Sequence, residues 1–501
     1  MGQLSLFDMP SVTEKWQTGN FSADNFGIQM ARLNLEQKLI NITEISNDFN
    51  RQTVSYQLSK KDCLHRWLKY KEGFSADLIK RLLKEFCARP GDTILDPFVG
   101  SGTTSLVCRM KGINSIGLDI LPMSKIAINA KQSVFEYNTE ELKQLINEIE
   151  KLSVPEHYEK RTKYITITDG AYPNKTEKEI TFFTEWNNNS NYSDKAKNLV
   201  TLCILNSLEK VSYTSKDGQF LRWDYRSKKM CEAAEYRKQN GKMPLIIRLD
   251  KGELPALKQT LLEEIKSVFA DILSIQQHKE YLLKSTIQFV EGSALFELPK
   301  FEDNIINGVI TSPPYCNRYD YTRTYALELA YLGITDEKIK RLRQDLLSCT
   351  VENKPKLEYL KKHYISLGKQ NDYNRIMNIV HENDVLNEIN KSLSERSENG
   401  DINNKGVLRM VNSYFTELTF IYAEIFRLCK SGAKVAFVND NVRYGGEVIP
   451  VDFISTELAE RIGFIPVKVY SLKQQKGNSS QQMAKFGRVP LRKSITIWEK
   501  L

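Results

Sequence analysis

Apolar positions recur with helical and strand spacing along the chain, and together they predict an α/β fold. In "SADLIKRLLKEFC" the apolar residues share one helical face, which predicts a helix over residues 75–87. Two short apolar runs follow, "TILD" and "SIGLD", and predict strands at 93–96 and 115–119 with a helix at 103–111 between them. Such a strand–helix–strand unit implies a parallel sheet.

The same alternation resumes twice later in the chain. A helix at 123–135 should pack on the sheet, and apolar runs predict further strands at 286–290, 308–311 and 434–438. Two long polar and charged stretches with helical periodicity separate these runs. We therefore predict one doubly wound, Rossmann-like sheet with two largely helical insertions, since insertions of this length in a compact sheet are usually functional.

The predicted sheet and its insertions divide the chain into six segments. The sheet-forming segments should build one catalytic domain, and the first insertion is the best candidate for recognising a target. In order, the segments are a peripheral N-terminal segment (1–50), the cofactor-binding half of the catalytic domain (51–136), the first insertion (137–284), the catalytic motif (285–335), the second, helical insertion (336–405) and the C-terminal half of the catalytic domain (406–501).

Composition narrows the class of protein. The chain has 501 residues, 41% of them hydrophobic, as in ordinary globular proteins. It contains no apolar run of membrane-spanning length, and its first residues do not have the pattern of a secretory signal, so we expect a cytoplasmic location. The eight cysteines form no CxxC pair and there are five histidines, so we expect reduced, packed thiols and no metal site.

The net charge of +9 permits a polyanionic partner but does not require one. Its distribution is more informative, because residues 466–493 contain seven basic side chains and no acidic one. A loop of one sign, rich in Gln, Ser and Gly, is typical of contact with a phosphate backbone, although a solvated loop has the same composition.

"DPFVGSGTT" places a glycine loop between a predicted strand and a predicted helix. Gly100 and Gly102 allow positive φ and a close approach of the backbone to a ligand. The lysine of a phosphate loop and the full dinucleotide fingerprint are both missing. Asp96 would repel a pyrophosphate but suits an ammonium, and Asp119, at the end of the next strand, suits a ribose. S-adenosylmethionine has both groups and no phosphate; a tight turn without a ligand is the alternative.

"TSPPYC" forms a rigid corner at the end of the strand predicted at 308–311. An exocyclic amino group of a nucleobase is a weak nucleophile, and acceptors aimed at its N–H bonds stabilise the charge that develops when it attacks a methyl group. The Ser312 hydroxyl and the Pro313 carbonyl can be those acceptors, and Pro314 fixes the backbone. Tyr315 offers a flat face to an extruded base.

Together, "DPFVGSGTT" and "TSPPY" resemble the cofactor and catalytic motifs of bacterial amino-methylating DNA methyltransferases, which make N4-methylcytosine or N6-methyladenine, often in restriction–modification systems. The likeness covers about half of the chain and has the cofactor motif before the catalytic motif, which differs from the commonest permuted order. "KEGFS" resembles the segment that precedes the glycine loop, and "VEGSAL" resembles the segment that lines the adenine pocket, with Ser293 where an acid is frequent. The resemblance implies these cofactor-binding residues: Lys71, Gly73, Phe74, Ser75, Asp96, Pro97, Phe98, Gly100, Ser101, Gly102, Thr103, Thr104, Asp119 and Ser293.

The resemblance also bears on the target base. Serine before the two prolines is more typical of cytosine N4 targets in this family, and Asp or Asn is more typical of adenine N6 targets, so we favour cytosine and keep adenine as the alternative. A cytosine-C5 methyltransferase would need a nucleophilic cysteine after a single proline, whereas Cys316 follows Tyr315.

Basic residues interleaved with aromatic ones are the candidates for DNA contact. They occur after the corner, in "YTSKDGQFLRWDYRSKK" of the first insertion, where "KDGQ" predicts a hairpin turn, and near the C-terminus. Helix caps, core aromatics and solvated loops are the structural alternatives. The candidates are Arg318, Arg323, Lys216, Arg222, Trp223, Arg226, Arg443, Lys476, Lys485 and Arg488.

Partners beyond duplex DNA are suggested by the family and by one short peptide. A cognate restriction endonuclease acting on the same site is the first. "QLSLF", Gln3 to Phe7, resembles the peptide by which bacterial proteins dock on the sliding clamp, and chance or local packing is its alternative. An RNA amino-methyltransferase and a non-catalytic DNA- or clamp-binding protein remain rival functions.

Overall fold

The predicted strands join one large sheet. A computed structural model of the protein describes residues 17–24, 28–216, 221–278, 285–473, 485–487 and 489–501. Within these ranges the strands are β1 (Thr43–Ile45), β2 (Thr93–Asp96), β3 (Asn114–Asp119), β4 (Thr214–Lys216), β5 (Leu221–Trp223), β6 (Ile287–Glu291), β7 (Ile306–Thr311), β8 (Cys429–Asp440), β9 (Val442–Tyr444), β10 (Glu447–Ile449), β11 (Ile465–Leu472) and β12 (Lys493–Glu499).

Eight of these strands form the central sheet in the order β1-β11-β12-β8-β7-β2-β3-β6. The five strands from β8 to β6 in this order are parallel, and β12 runs antiparallel to both of its neighbours. Two hairpins, β4–β5 and β9–β10, lie outside the sheet. The mixed, mostly parallel sheet confirms the predicted fold class.

Helices cover both faces of the sheet, as a doubly wound fold requires. In chain order they are α1 (Met30–Lys38), α2 (Ala76–Glu85), α3 (Thr103–Arg109), α4 (Pro122–Gln132), α5 (Thr139–Lys151), α6 (Asn174–Asn189), α7 (Asp194–Leu208), α8 (Lys228–Gln239), α9 (Leu257–Gln276), α10 (Ala294–Glu297), α11 (Tyr321–Thr324), α12 (Ala326–Tyr331), α13 (Asp336–Asp345), α14 (Leu357–Ser366), α15 (Gln370–His381), α16 (Asp384–Glu398), α17 (Gly406–Leu428) and α18 (Val451–Ile462).

Neighbouring residues of the strands point into two different cores, because side chains alternate across a sheet. Ile94 belongs to the smaller cluster, which the apolar face of α2 covers. Leu95 belongs to the larger cluster with α4, α17 and α18. Ser75 caps α2 by accepting the Leu78 N–H, and the apolar stripe of "ADLIKRLLKE" then faces the sheet.

Both insertions share the larger core. From the first insertion, α7 packs on α4 and on α9, and residues of α5, α6, α7 and α9 belong to the same buried cluster as the sheet. From the second, α15 and α16 pack on α17. Helix α8 differs from all of these, because none of its residues is buried. The predicted "KDGQ" turn falls largely on residues 217–220, outside the described residues, but the strands beside it pair, with Lys216 opposite Leu221.

The N-terminal segment is less peripheral than the sequence predicts. Strand β1 extends the sheet beside β11. The guanidinium of Arg32 in α1 is fully buried and pairs with Glu388 (2.7 Å) and Glu447 (2.9 Å). Arg396 of the second insertion also pairs with Glu447, at 2.8 Å. This buried network ties α1, α16 and β10 together, and charged residues in a polar stretch gave no sign of it.

Candidate active site

The two motifs meet at one edge of the sheet. Strands β3, β2 and β7 are parallel neighbours and end at Asp119, Asp96 and Thr311, so their carboxyl ends lie side by side. The Thr311 hydroxyl donates a hydrogen bond to Asp96 Oδ1 at 2.7 Å. The glycine loop and the proline corner therefore begin next to each other.

A cleft opens between the two motifs. Its empty volume, including the open mouth, is about 710 Å³. Ser312 and Pro314 line one wall and the glycine loop lines another. The remaining lining residues come from the segment before the loop, the ends of β3 and β6, and the regions around α11 and α13: Tyr70, Glu72, Gly73, Phe74, Asp119, Ile120, Leu121, Gly292, Ser293, Ala294, Tyr321, Asp345, Leu346 and Leu347.

The two glycines of the loop have the positive φ that the sequence predicts, +51° at Gly100 and +84° at Gly102. The close approaches they permit are to other side chains. A Cβ at Gly100 would lie 2.8 Å from the Tyr70 ring, and one at Gly102 would lie 2.7 Å from Ile128 Cγ1. Glycine is required here because the loop packs between these two side chains, which holds it at the floor of the cleft.

Asp96 is turned away from the cleft, contrary to the prediction that it faces the ligand. It is buried, and Oδ2 accepts from the Thr104 hydroxyl at 2.6 Å while Oδ1 accepts from Thr311 and from the Phe98 N–H. Burial raises the pKa of Asp96 to about 6, and these hydrogen bonds oppose the rise. Asp96 thus connects the glycine loop to the proline corner through hydrogen bonds.

Asp119 lines the cleft where the sequence places it. Its two oxygens accept from the N–H groups of Gly100 (2.9 Å) and Leu121 (2.7 Å). Burial raises its pKa to about 6 as well. A carboxylate has about four lone-pair sites, so Asp119 keeps acceptor capacity for a hydroxyl pair in the cleft.

Glu72 is a further carboxylate of the cleft, and it is not among the residues predicted from the sequence. Its two oxygens accept hydrogen bonds from the hydroxyls of Tyr319 and Tyr325, which follow the proline corner. The Tyr325 ring stacks on Tyr70 with centroids 5.2 Å apart and 9° between the planes. None of the described residues forms an ion pair with Glu72, so its charge is available to a cation in the cleft.

The other predicted cofactor residues divide into two groups. Gly73, Phe74, Pro97, Phe98, Gly100, Ser101, Thr103 and Ser293 line the cleft. Lys71, Ser75, Gly102 and Thr104 do not: the Lys71 ammonium donates to the Lys216 carbonyl, Ser75 caps α2, and Thr104 bonds Asp96. Gly102 packs against Ile128, so in this structure these four residues contribute to the position of the loop and of α2, and direct cofactor contacts by them stay a prediction.

At the corner, the Ser312 hydroxyl lies 3.0 Å from the Tyr315 hydroxyl and 3.2 Å from the Val438 carbonyl. The Lys493 ammonium lies 4.9 Å from the centroid of the Tyr315 ring and 3.5 Å from Asp440 Oδ1. Tyr315 is therefore held beside the serine with a cation over its ring. It does not itself line the cleft in this conformation.

Most candidate DNA contacts are engaged within the protein. Lys216 is buried and pairs with Glu328. Arg443 is also buried, and its guanidinium donates to the carbonyls of Gly446 (3.2 Å) and Phe486 (3.2 Å). The structure therefore argues against direct phosphate contacts by Lys216 and Arg443. The sequence misleads here because a basic residue among aromatic ones looks the same when its charge is satisfied internally.

The remaining candidates are more accessible. Arg222 is exposed, and Arg318 and Trp223 are half-buried. Three candidates have a carboxylate partner: Arg226 with Asp224 (2.8 Å), Arg323 with Glu352 (2.9 Å) and Lys485 with Asp401 (2.9 Å). Lys476, Arg488 and the Gln3–Phe7 peptide lie outside the described residues, and their assignments stay predictions.

Comparison with known proteins identifies the family. The chain is 57% identical over 480 residues to the type II methyltransferase M.BsoBI of Geobacillus stearothermophilus, a match that covers 96% of this chain and 94% of that protein. It is 36% identical over 485 residues to the type II methyltransferase M.AvaI of Nostoc sp. and of Anabaena variabilis, covering 95% of each chain. The chain belongs to the type II DNA methyltransferases.

Two family profiles agree with this assignment. One, described as DNA methylase, matches residues 13–129, and one described as D12 class N6 adenine-specific DNA methyltransferase matches residues 75–242. DNA methyltransferases of these families act on amino groups of bases and use S-adenosylmethionine as the methyl donor. The cleft fits that cofactor, since it combines carboxylates at two places with an apolar lining and the glycine loop. Within the described ranges, no helix is long and apolar enough to cross a membrane.

Some lining residues had a signal in the sequence and others had none. Tyr70 and Glu72 lie within or beside "KYKEGFS", and an acid in that motif could have been considered with Asp96 and Asp119. Asp345, Leu346 and Leu347 follow a charged helix far along the chain, and nothing local in the sequence indicates that they reach the cleft.

Proposed function

We propose that the protein methylates the exocyclic N4 amino group of cytosine in duplex DNA, with S-adenosylmethionine as the donor and the target base turned out of the helix. The observation that carries this proposal is the position of the Ser312 hydroxyl on the wall of the cleft that the glycine loop also lines. The acceptor for an amino group and the binding loop for a methyl donor thus face the same space.

Ser312 can accept a hydrogen bond from the target amine without losing its present neighbours. A hydroxyl has one hydrogen and two acceptor lone pairs. That hydrogen is directed to Tyr315 or to the Val438 carbonyl, so the lone pairs remain for an N–H group. The Pro313 carbonyl accepts no hydrogen bond from the described residues and is the second acceptor. Both favour the pyramidal amine as it gains positive charge.

The choice of cytosine rests on the serine. Serine before the two prolines is more typical of N4-cytosine enzymes in the family that the motifs resemble. The adenine-specific profile matches residues 75–242 and ends before Ser312, so its match concerns the cofactor half and the first insertion. N6-adenine methylation is the alternative, because a hydroxyl can accept from either amino group.

The cofactor supplies an activated methyl group when it is bound, and residues of this chain hold its two polar ends. We assign Asp119 to the ribose hydroxyls and Glu72 to the α-ammonium. Glu72 replaces Asp96 in this role, because both oxygens of Asp96 are directed at Thr104, Thr311 and Phe98. Two tyrosine hydroxyls fix the Glu72 carboxylate, which orients its remaining lone pairs.

Tyr315 remains our candidate for stacking on the extruded base, and this requires that its ring turn toward the cleft. The Lys493 ammonium and the Ser312 hydroxyl define its resting position. We also keep four further expectations as proposals. They are the division of the chain into six segments, a cytoplasmic location, a cognate endonuclease that acts on the same site, and contact of Gln3–Phe7 with the sliding clamp.

The identity of the methylated nucleoside tests the base assignment. Duplex DNA is methylated with the purified enzyme, digested to nucleosides and analysed by mass spectrometry against N4-methyldeoxycytidine, N6-methyldeoxyadenosine and 5-methyldeoxycytidine standards. We expect the first product. N6-methyldeoxyadenosine would refute the cytosine assignment but still agree with methyl transfer to an amino group. 5-Methyldeoxycytidine would refute the proposed role of the proline corner. Methylation of RNA but not of duplex DNA would refute the substrate.

The Ser312→Ala variant tests the role of the corner. Removal of one preorganised hydrogen-bonding group, measured for donors of oxyanion holes, costs about 100- to 1000-fold in turnover. We expect a fall of that order in kcat with an unchanged dissociation constant for S-adenosylmethionine. An unchanged kcat would contradict the assigned role of the serine.

A further inference from the structure

One segment of the first insertion leaves the body of the protein and returns to the point where it left. We call residues 226–250 the arm. At its base the Lys251 N–H donates to Asp224 Oδ2 at 2.7 Å, and the Tyr225 N–H donates to the Leu249 carbonyl at 3.3 Å. The Lys251 ammonium is bonded to the carbonyls of Glu209 (2.6 Å), Ser212 (2.7 Å) and Thr214 (3.0 Å). The base of the arm is therefore closed and fixed.

Above this base, the arm contributes no buried apolar side chain to the hydrophobic core. Helix α8 has no buried residue. Tyr236 of α8 is 58% accessible, and beyond the helix the chain exposes further large apolar side chains, with Met243 80% and Ile246 76% accessible. A helix without an apolar face against the protein is not stabilised by packing, and apolar side chains left this exposed mark a contact surface.

The charge of the arm indicates which partner covers it. The arm has seven basic residues (Arg226, Lys228, Lys229, Arg237, Lys238, Lys242 and Arg248) and three acidic ones. A second copy of this chain that met the arm with its own arm would bring the same positive charge against it and be repelled, whereas a polyanion is attracted. An α-helix with its side chains is about 10–12 Å across, which matches the width of the major groove of DNA, about 12 Å.

The base of the arm is attached to the catalytic side of the molecule. Lys216, at the end of β4, pairs with Glu328 of α12, and its ammonium lies 4.5 Å from the centroid of the Tyr325 ring. The same Tyr325 stacks on Tyr70 and donates to Glu72, and both of those residues line the cleft. We therefore expect a duplex that presents its target base to Ser312 to pass close to this attachment.

We propose that the arm is a DNA-recognition element and that α8 enters the major groove beside the target base. The exposed lysines and arginines of the arm contact backbone phosphates, and the exposed apolar side chains at 243–247 cover the groove edge. This inference rests on the proposed function in one respect, since it takes duplex DNA as the substrate. It places recognition in a part of the first insertion that lies mostly beyond the basic and aromatic segment at 213–229.

The salt dependence of DNA binding tests the phosphate contacts. Each contact contributes about 0.9 to the slope of log K against log salt concentration. We expect the triple variant Lys238→Ala, Lys242→Ala, Arg248→Ala to lower that slope by about 2 to 3. The matched control is Lys80→Ala, Lys84→Ala, Lys151→Ala, three exposed lysines of α2 and α5, and its slope should equal that of the unmodified enzyme. Equal slopes in both variants would overturn the proposal.

Removal of the arm tests recognition itself. Because the base of the arm is closed, residues 228–247 can be replaced by Gly-Ser-Gly. We expect this variant to bind S-adenosylmethionine with unchanged affinity, to keep its molar mass in solution, and to lose at least 100-fold in kcat/KM on duplex DNA. Unchanged kcat/KM would overturn the proposal, as would a change of oligomeric state, which would make the arm a subunit contact.

The two experiments distinguish this proposal from the proposed function. The assignment of cytosine as the target base is tested by the nucleoside that the intact enzyme produces, and this result does not depend on the arm. The role of the arm in DNA recognition is tested by the DNA binding and kcat/KM of the arm variants, and these results do not depend on which base is methylated. If the excised protein does not fold, as its melting temperature would show, the salt slopes of the two triple variants still decide.

Discussion

Replacement of Glu72 by glutamine tests whether this carboxylate binds the α-ammonium of the cofactor or its sulfonium. The substitution keeps the shape of the side chain and removes its charge. We assign this carboxylate to the α-ammonium, a group that S-adenosylmethionine shares with its demethylated product S-adenosylhomocysteine. 5′-Methylthioadenosine lacks the amino acid and with it the ammonium. The three ligands therefore report separately on the ammonium and on the sulfonium.

The expected size of the effect follows from the structure. Glu72 is half-buried and has no ion-pair partner among the described residues, and two tyrosine hydroxyls hold it in place. A hydrogen bond to a charged group in such a setting contributes about 1.5–3 kcal/mol, or about 10- to 150-fold in the dissociation constant. We expect Glu72→Gln to weaken S-adenosylmethionine and S-adenosylhomocysteine by the same factor in this range, and to leave 5′-methylthioadenosine unchanged.

Isothermal titration calorimetry with the three ligands measures these constants. Asp96→Asn is the contrasting variant, because Asp96 is directed at Thr104 and Thr311 and acts through the position of the loop. It should weaken all three ligands alike. If Glu72→Gln weakened S-adenosylmethionine but not S-adenosylhomocysteine, the carboxylate would face the sulfonium and the assignment would be wrong. Equal effects on all three ligands would reduce Glu72 to a structural residue.

Three further predictions concern other groups around the cleft. Burial raises the pKa of Asp119 to about 6, and ribose hydroxyls favour its ionised form, so cofactor affinity should rise from pH 5 to pH 7, and Asp119→Asn should flatten this dependence in pH-resolved calorimetry. Lys131 is buried and donates to the Ser101 carbonyl at 2.7 Å, and burial lowers its pKa to about 7. Between pH 7 and the ordinary lysine pKa, the unfolded chain therefore binds more protons than the folded protein, so the free energy of unfolding should rise from pH 7 to pH 9. Urea titrations at several pH values measure this rise. The contribution of Lys131 to it should be absent in Lys131→Met. Lys493→Met removes the cation over Tyr315 and should lower kcat about tenfold while the dissociation constant for S-adenosylmethionine stays the same; an unchanged kcat would separate Lys493 from the corner.

The sequence by itself determined the parallel part of the sheet and the chemistry of its edge. Apolar period and glycine breaks are local properties, so the strands ending at Asp96, Asp119 and Thr311 could be placed to within a few residues. Parallel strands bring their carboxyl ends to one edge, which is why two motifs more than two hundred residues apart meet at one cleft. The residue types at those ends then indicated a sulfonium donor and an amino-group acceptor.

Only the tertiary structure decided which side chains face the cleft and which are used inside the protein. Asp96 and Glu72 are both acids beside cofactor motifs, but Asp96 is enclosed by two threonines whereas Glu72 is held open by two tyrosines from a distant segment. Lys216 and Lys238 are both lysines of the first insertion, but Lys216 is buried against Glu328 and Lys238 is exposed on a helix without a core. The direction of a side chain depends on partners far away in the chain, and hydrophobic periodicity has no information about them.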